Sequence, residues 1–253
     1  GPTRAYVLNT DGSRWYDNVI KPDLVAPGNK VIGASATSAA PTSPAKNALA
    51  ASYPTLMVGS SGATVYGQEL MKLSGTSVAA PAVAGAAAVL LQANPGLTPP
   101  LIKAILQYTA QPVAGYNVLE QGAGHLNLEG AVRLAQSLRT DISGAVASGS
   151  MVPGVSSLLA AGKTLPTARS TSIAGTTFNW SRVVTVGGSH VATGDKLFNT
   201  YQSVWDPKLL WASKFAMRYT PVYWSGAGIP TNTFPQSVQM RYTTSENLVS
   251  GGV

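Results

Sequence analysis

Leu73-Ser74-Gly75-Thr76-Ser77-Val78-Ala79-Ala80-Pro81-Ala82-Val83-Ala84-Gly85 sets a polar turn directly against an apolar run. From Val78 to Ala93 the chain carries no charge and is mostly Ala, Val, Leu and Gly, which predicts a buried helix. Gly75 permits a sharp turn ahead of it. The first N–H groups of a helix lack internal acceptors and sit at its positive end, so the backbone around Ser77 is suited to an oxyanion. Pro81 falls close enough to the helix start for its missing donor to cost little.

Two upstream blocks give that serine a context. Ile20-Lys21-Pro22-Asp23-Leu24-Val25-Ala26-Pro27-Gly28 and Gly1-Pro2-Thr3 precede the turn in order. Together the three blocks resemble the subtilisin-like serine peptidases (subtilases), whose nucleophile motif is a Gly-Thr-Ser followed by a small-residue, Pro-containing helix. For an isolated serine a helix N-cap would be the ordinary reading; the flanking blocks favour the nucleophile.

The resemblance implies an α/β fold over residues 1–138, the C-terminal portion of a subtilisin-like parallel-sheet, three-layer domain. It makes Ser77 the nucleophile, with its own N–H as an oxyanion donor and Thr76 in support. Leu73, Ser74 and Gly75 would line the substrate cleft, Leu73 near the site just past the scissile bond. A serine hydroxyl needs an adjacent base, itself oriented by a third group. The family's catalytic Asp, His and oxyanion Asn come from blocks that none of these residues match, so they are expected upstream of Gly1.

The protein is therefore expected to be a serine endopeptidase seen through its C-terminal piece, a cleaved chain that needs an N-terminal partner segment of the same peptidase, with nicking or autoprocessing at an exposed loop. Peptides or proteins are the expected substrates. The runner-up is a non-catalytic, subtilase-fold binding or scaffold protein with an interaction module in its tail.

Other polar residues compete for roles. Asp23 reads as a capping carboxylate before it reads as a cation ligand, since no acidic cluster surrounds it. His125, in Gln121-Gly122-Ala123-Gly124-His125-Leu126-Asn127, occupies a position that is ordinarily apolar in the family. His190 falls in the tail. Asn9 and Asn18 lie on the wrong side of Gly1-Pro2-Thr3 to be the oxyanion Asn. The residue after the helix proline, Ala82, is usually His in the family and is not a triad member. No cofactor is expected in this chain, and a structural calcium is not assignable to particular residues.

Composition narrows the remaining classes. Of 253 residues only 11% are Asp, Glu, Lys or Arg, against about 25% in average soluble proteins, a neutral, hydroxyl-rich character that suits a secreted protein. The net charge of +7 is scattered: eight Lys/Arg against six Asp/Glu in residues 1–138, nine against four beyond. No basic run appears, so nucleic-acid binding is not expected. There is no cysteine, which excludes disulfides and thiolate chemistry. The apolar helix falls short of the roughly 20 residues of a membrane span.

Asn94-Pro95-Gly96 should stop the first helix, and Thr98-Pro99-Pro100 should cap and start another with Leu101, Ile102, Ile105 and Leu106 as its apolar stripe. Asn127 is expected to cap a helix carrying Leu128, Val132, Ala135 and Leu138. Short strands are expected at Leu24-Val25, 31–34, 55–58 and 70–73. Residues 139–172, rich in Gly, Ser, Ala and Pro, read as a linker or loose loop. Residues 173–253, with four of the five tryptophans, read as a β-rich C-terminal domain or sheet extension, its strands near 176–186, 209–219, 222–224 and 237–242. Its aromatics read as core before they read as a ligand platform.

Overall fold

In the computed structural model, residues 6–16, 20–35, 48–58, 70–186, 190–207, 209–211, 215–220 and 237–242 are described. In chain order the elements are β1 (Tyr6–Leu8), β2 (Arg14–Tyr16), β3 (Val31–Ala34), α1 (Ala48–Ser52), β4 (Met57–Val58), β5 (Leu70–Leu73), α2 (Thr76–Ala93), α3 (Pro99–Thr109), α4 (Val118–Gln121), α5 (Leu128–Ala135) and α6 (Ile142–Ala147). Strands follow: β6 (Ser170–Ile173), β7 (Thr176–Asn179), β8 (Val183–Val186), β9 (His190–Thr193), β10 (Leu209–Trp211), β11 (Phe215–Thr220) and β12 (Ser237–Tyr242). The chain divides into two compact units, Ala26–Gly85 and Gly1–Val25 with Ala86–Val253.

The larger unit is built around α3. Thr98 caps it, its Oγ1 accepting the Leu101 N–H at 3.5 Å, and Pro99 and Pro100 fill positions whose N–H groups would be unpaired in any case. Leu101, Ala104 and Ile105 are fully buried, and burial of a side chain the size of Leu or Ile stabilises by about 1.5–3 kcal/mol. Tyr108 of α3 meets Phe198 edge-on at 4.9 Å, and Phe198 stacks on Trp205 at 6.0 Å. Trp180 and Trp205 are core residues, 3% and 0% exposed. The side chains of Trp211 and Trp224 lie outside the described residues.

Residues 139–172, expected as a linker, carry α6 and bury Ile142, Met151, Leu158 and Leu165. Their small-residue composition hid a sparse set of anchors. Likewise Asn94, expected only as a helix stop, is fully buried and spends its amide on the carbonyls of Ala135, Leu138 and Arg139 at 2.8, 3.3 and 3.2 Å. Asn127 caps α5 as expected, its Oδ1 accepting the Gly130 N–H at 3.1 Å. Met57–Val58 is a strand, but Pro54–Leu56 before it forms a 3-10 turn.

Among the described residues, the named strands pair antiparallel. The parallel connection is the bridge between Val25 and His125. There, Val25 N–H donates to Gly124 O at 2.9 Å and Leu126 N–H to Val25 O at 2.8 Å, while Gln111 pairs with the other edge of His125. Gly122 makes this approach feasible: its φ is +61°, and a Cβ there would stand 2.3 Å from the Pro22 carbonyl oxygen.

One polar cluster seals α3 to the later chain. Asp195 accepts from the Tyr108 hydroxyl and from Arg169 Nε and Nη2 at 3.1 and 2.8 Å, with Arg182 Nη2 at 3.3 Å. Burial pushes the Asp195 carboxyl up, but the bonds from Arg169 and Tyr108 and the two guanidinium charges outweigh it and hold it below its ordinary value. Burial, then Asp195, pushes the Tyr108 phenol up to about 12. A depressed carboxyl stabilises above its unfolded value of 3.8 and loses that contribution as pH falls. The raised phenol stabilises below its unfolded value of 10.0 and loses that contribution as pH rises towards about 12. Thermal melts of the full-length protein across pH should therefore show Asp195→Asn losing less stability than the parent between about pH 5 and pH 2. Parallel acid limbs in the two proteins would show that this carboxylate is not the acid-labile group.

Candidate active site

The smaller unit holds the sheet β3-β5-β4, with Val31 opposite Leu73 and Met57 opposite Met71. Met71 is buried at 3%, while Val31, Ile32 and Leu70 stay exposed. β5 delivers the chain through Ser74 and Gly75 into α2, whose first helical residues are Thr76 and Ser77. Leu73 ends β5 half-buried; Ser74, Gly75, Thr76 and Ser77 are all exposed.

Backbone contacts fix this turn. Gly75 N–H donates to the Gly28 carbonyl at 2.8 Å, and the Gly75 carbonyl accepts from Val78 and Ala79 N–H, both at 3.1 Å. Thr76 and Ser77 precede these first helical bonds, so their N–H groups stand at the open, positive end of α2. Gly28 has to be glycine by the space it leaves: a Cβ would lie 2.7 Å from Gly75 O and 2.8 Å from Ala79 Cβ. A Cβ at Gly75 would lie 3.6 Å from Ser77 Oγ, so a longer side chain there would crowd the hydroxyl.

Ser74 adds a side-chain tie. Its Oγ accepts the Lys30 N–H at 2.8 Å and donates to Asn29 Oδ1 at 3.0 Å. Local sequence assigned no role to Asn29 or Lys30. Their signal was only the polar pair following Pro-Gly.

The other candidates belong to the larger unit. Asp23, weighed as a cap or a cation ligand, is instead an ion-pair hub. Lys21 Nζ and Lys103 Nζ (2.9 Å) hold its two oxygens, and Gln107 Nε2 donates to it at 3.2 Å. Burial pulls the Lys103 ammonium below its ordinary value despite the pull of Asp23 the other way. Among the described residues no group of three or more His, Cys, Asp and Glu is placed to hold a metal. His125 lends its backbone to the Val25 bridge, and its Nδ1 lies 3.2 Å from the Leu126 carbonyl. Asn9 closes the β1–β2 turn, its Nδ2 donating to Ser13 Oγ at 2.8 Å. Gly1-Pro2-Thr3 and Asn18 lie outside the described residues, as does the side chain of His190.

Ser77 is thus an exposed serine at a helix start, with the Gly75 turn behind it. The model of the Subtilase family matches residues 2–132, just over half of the chain. The chain belongs to the subtilase family. It is 34% identical over 93 residues to subtilisin-like protease SBT2.3 of Arabidopsis thaliana, covering 37% of this chain and 9% of that protein. It is 31% identical over 134 residues to subtilisin-like protease SBT2.4 and over 127 residues to SBT1.6, both of the same plant, covering 46% and 44% of this chain. In each of those two the chain spans 14% of the relative's length.

Gly28→Ala tests the turn. Relieving the 2.7 Å clash with Gly75 O requires backbone movement under Ser77, and labelling of Ser77 by a fluorophosphonate in the full-length protein should slow by about tenfold or more. Unchanged labelling would mean that the turn does not depend on this close approach.

Proposed function

We propose that this chain is the nucleophile-bearing part of a secreted serine endopeptidase that cleaves peptide bonds through an acyl-enzyme on Ser77. The observation that carries the reading is the exposed Ser77 hydroxyl in the first turn of α2, behind a Gly75 turn held by Gly28. In the proposed reaction Ser77 Oγ attacks the scissile carbonyl carbon as a histidine takes its proton. The Ser77 N–H and an asparagine meet the developing oxyanion, and Thr76 supports them. The amine leaves with the histidine's proton, and water then releases the acyl group. Leu73, Ser74 and Gly75 flank the substrate.

Residues 26–85 contain neither Asp nor His. Because the family's Asp, His and oxyanion-Asn blocks are not matched in this sequence, we assign those three groups to an N-terminal segment of the same peptidase, which cleavage would leave as a separate partner. α2 supports this assignment. It is apolar from Val78 onward, yet only Ala86 and Leu90 are buried, and Val89 and Leu91 are 37% and 43% exposed. By length and composition it is the one helix among the described residues able to cross a membrane. We assign its bare face to the partner segment instead, because its first turn holds the nucleophile. Covering that face would complete a three-layer, parallel-sheet domain, with residues 173–253 as its β-rich extension.

Two measurements test the proposal. In the full-length protein, Ser77→Ala should abolish peptidase activity and fluorophosphonate labelling; unchanged activity would defeat it. Residues 1–253 purified alone should show neither stable folding nor hydrolysis, and a well-folded, active chain of that length would remove the need for a partner.

A further inference from the structure

Asn29 and Lys30, which bind Ser74 three residues before the candidate nucleophile, have no part in the chemistry so far described. We infer that Asn29 is a positioning residue for Ser77, acting through Ser74; this rests on the peptidase reading above.

Hydrogen-bond polarity gives the first argument. The Ser74 hydroxyl accepts from the Lys30 amide at 2.8 Å, so its own hydrogen is committed elsewhere, and the acceptor within reach is Asn29 Oδ1 at 3.0 Å. A hydroxyl that both accepts and donates has its rotation fixed. Ser74 thereby joins the Gly28–Lys30 segment to β5, one residue before the Gly75 turn.

Backbone conformation gives the second. Lys30 has φ of +54°, a left-handed conformation that residues with a Cβ adopt rarely and keep only where their surroundings over-determine it. Here the N–H of that same residue is the one bound by Ser74. Next to it, Gly28 O holds Gly75 N–H at 2.8 Å. Three successive residues, Gly28, Asn29 and Lys30, therefore grip Ser74 and Gly75, and the grip sets where α2 begins. Ser77 lies in the first turn of that helix, so a shift of the grip moves its hydroxyl without removing any group that touches substrate. Displacement of a reacting group by about 1 Å can cost on the order of a hundredfold in rate.

The test uses the full-length peptidase. Asn29→Ala should lower kcat and the rate of fluorophosphonate labelling of Ser77 by about tenfold to a hundredfold while leaving KM nearly unchanged. Asn29→Asp, which keeps an acceptor for the Ser74 hydroxyl, should restore most of the rate. Ser74→Ala should cost a similar factor, and the double variant Asn29→Ala/Ser74→Ala no more than either single one. Each variant is assayed well below its melting temperature, so that unfolding does not imitate the effect. A parent that the probe does not label overturns the peptidase reading and this role with it. A labelled, active parent whose Asn29→Ala variant keeps its kcat overturns the positioning role alone, as would additive losses in the double variant.

Discussion

Helix α3 is buried on nearly every side, and its polar groups have to find partners inside the protein or forfeit the free energy of leaving water. Thr98 gives its hydroxyl hydrogen to the Trp205 carbonyl at 2.6 Å. Gln107 is fully buried; it donates to Asp23 and accepts the Thr185 N–H at 2.9 Å. Tyr108 donates to Asp195. The carbonyl of Thr109 accepts from Asn127 Nδ2 at 2.9 Å. Each acceptor or donor lies far along the chain, so one helix holds the Lys-Pro-Asp segment, the start of α5 and the stretch from Trp180 to Asp206. An orphaned buried group costs about 1–3 kcal/mol, which makes these ties mutually dependent. Residues past the end of the family match at residue 132 are thereby part of the same core.

The smaller unit obeys a different rule. Among its described side chains Met71 alone is buried, so apolar burial contributes little to holding Ser77. Backbone bonds and close approach do that work: Gly75 on Gly28, Ser74 on Lys30, and a glycine at position 28 where a methyl group would collide. Such contacts specify geometry more than they supply stability, since a hydrogen bond contributes only about 1 kcal/mol net. Elements of this kind belong to the low-stability end of a protein, where ligand-binding parts are commonly found.

What was legible in the sequence was local. The Thr98-Pro99-Pro100 start of α3, the Asn127 cap of α5, the strands 31–34, 70–73 and 237–242, and the existence of a helix after Ser77 all announce themselves within a few residues. The burial expected of that helix was wrong, since of its side chains only Ala86 and Leu90 are buried. Resemblance of short blocks gave the family. Long-range pairing was not legible. Nothing near Asp23 showed that Lys103 and Gln107 would reach it, and Thr98 read as a cap without any hint of Trp205, 107 residues away. Residues 139–172 looked like a linker because a few buried anchors, Ile142 and Leu158 among them, are enough to fix a segment of small residues. Asn29 was invisible for the same reason: its partner is 45 residues away.

The candidate site divides along the same line. Placing a serine hydroxyl at a helix start is a local problem, solved by Gly75, by the absence of a side chain at Gly28 and by the hydroxyl of Ser74. Making that hydroxyl reactive is not local. Its proton has to pass to a base in the transition state, and the base needs an acid to orient it, residue types that the sequence between Ala26 and Gly85 lacks apart from Glu69. A turn stiffened by backbone bonds, with little burial of its own, is therefore the form expected of a part whose precision is built in and whose reactivity, under the proposed reading, depends on groups outside Ala26–Gly85.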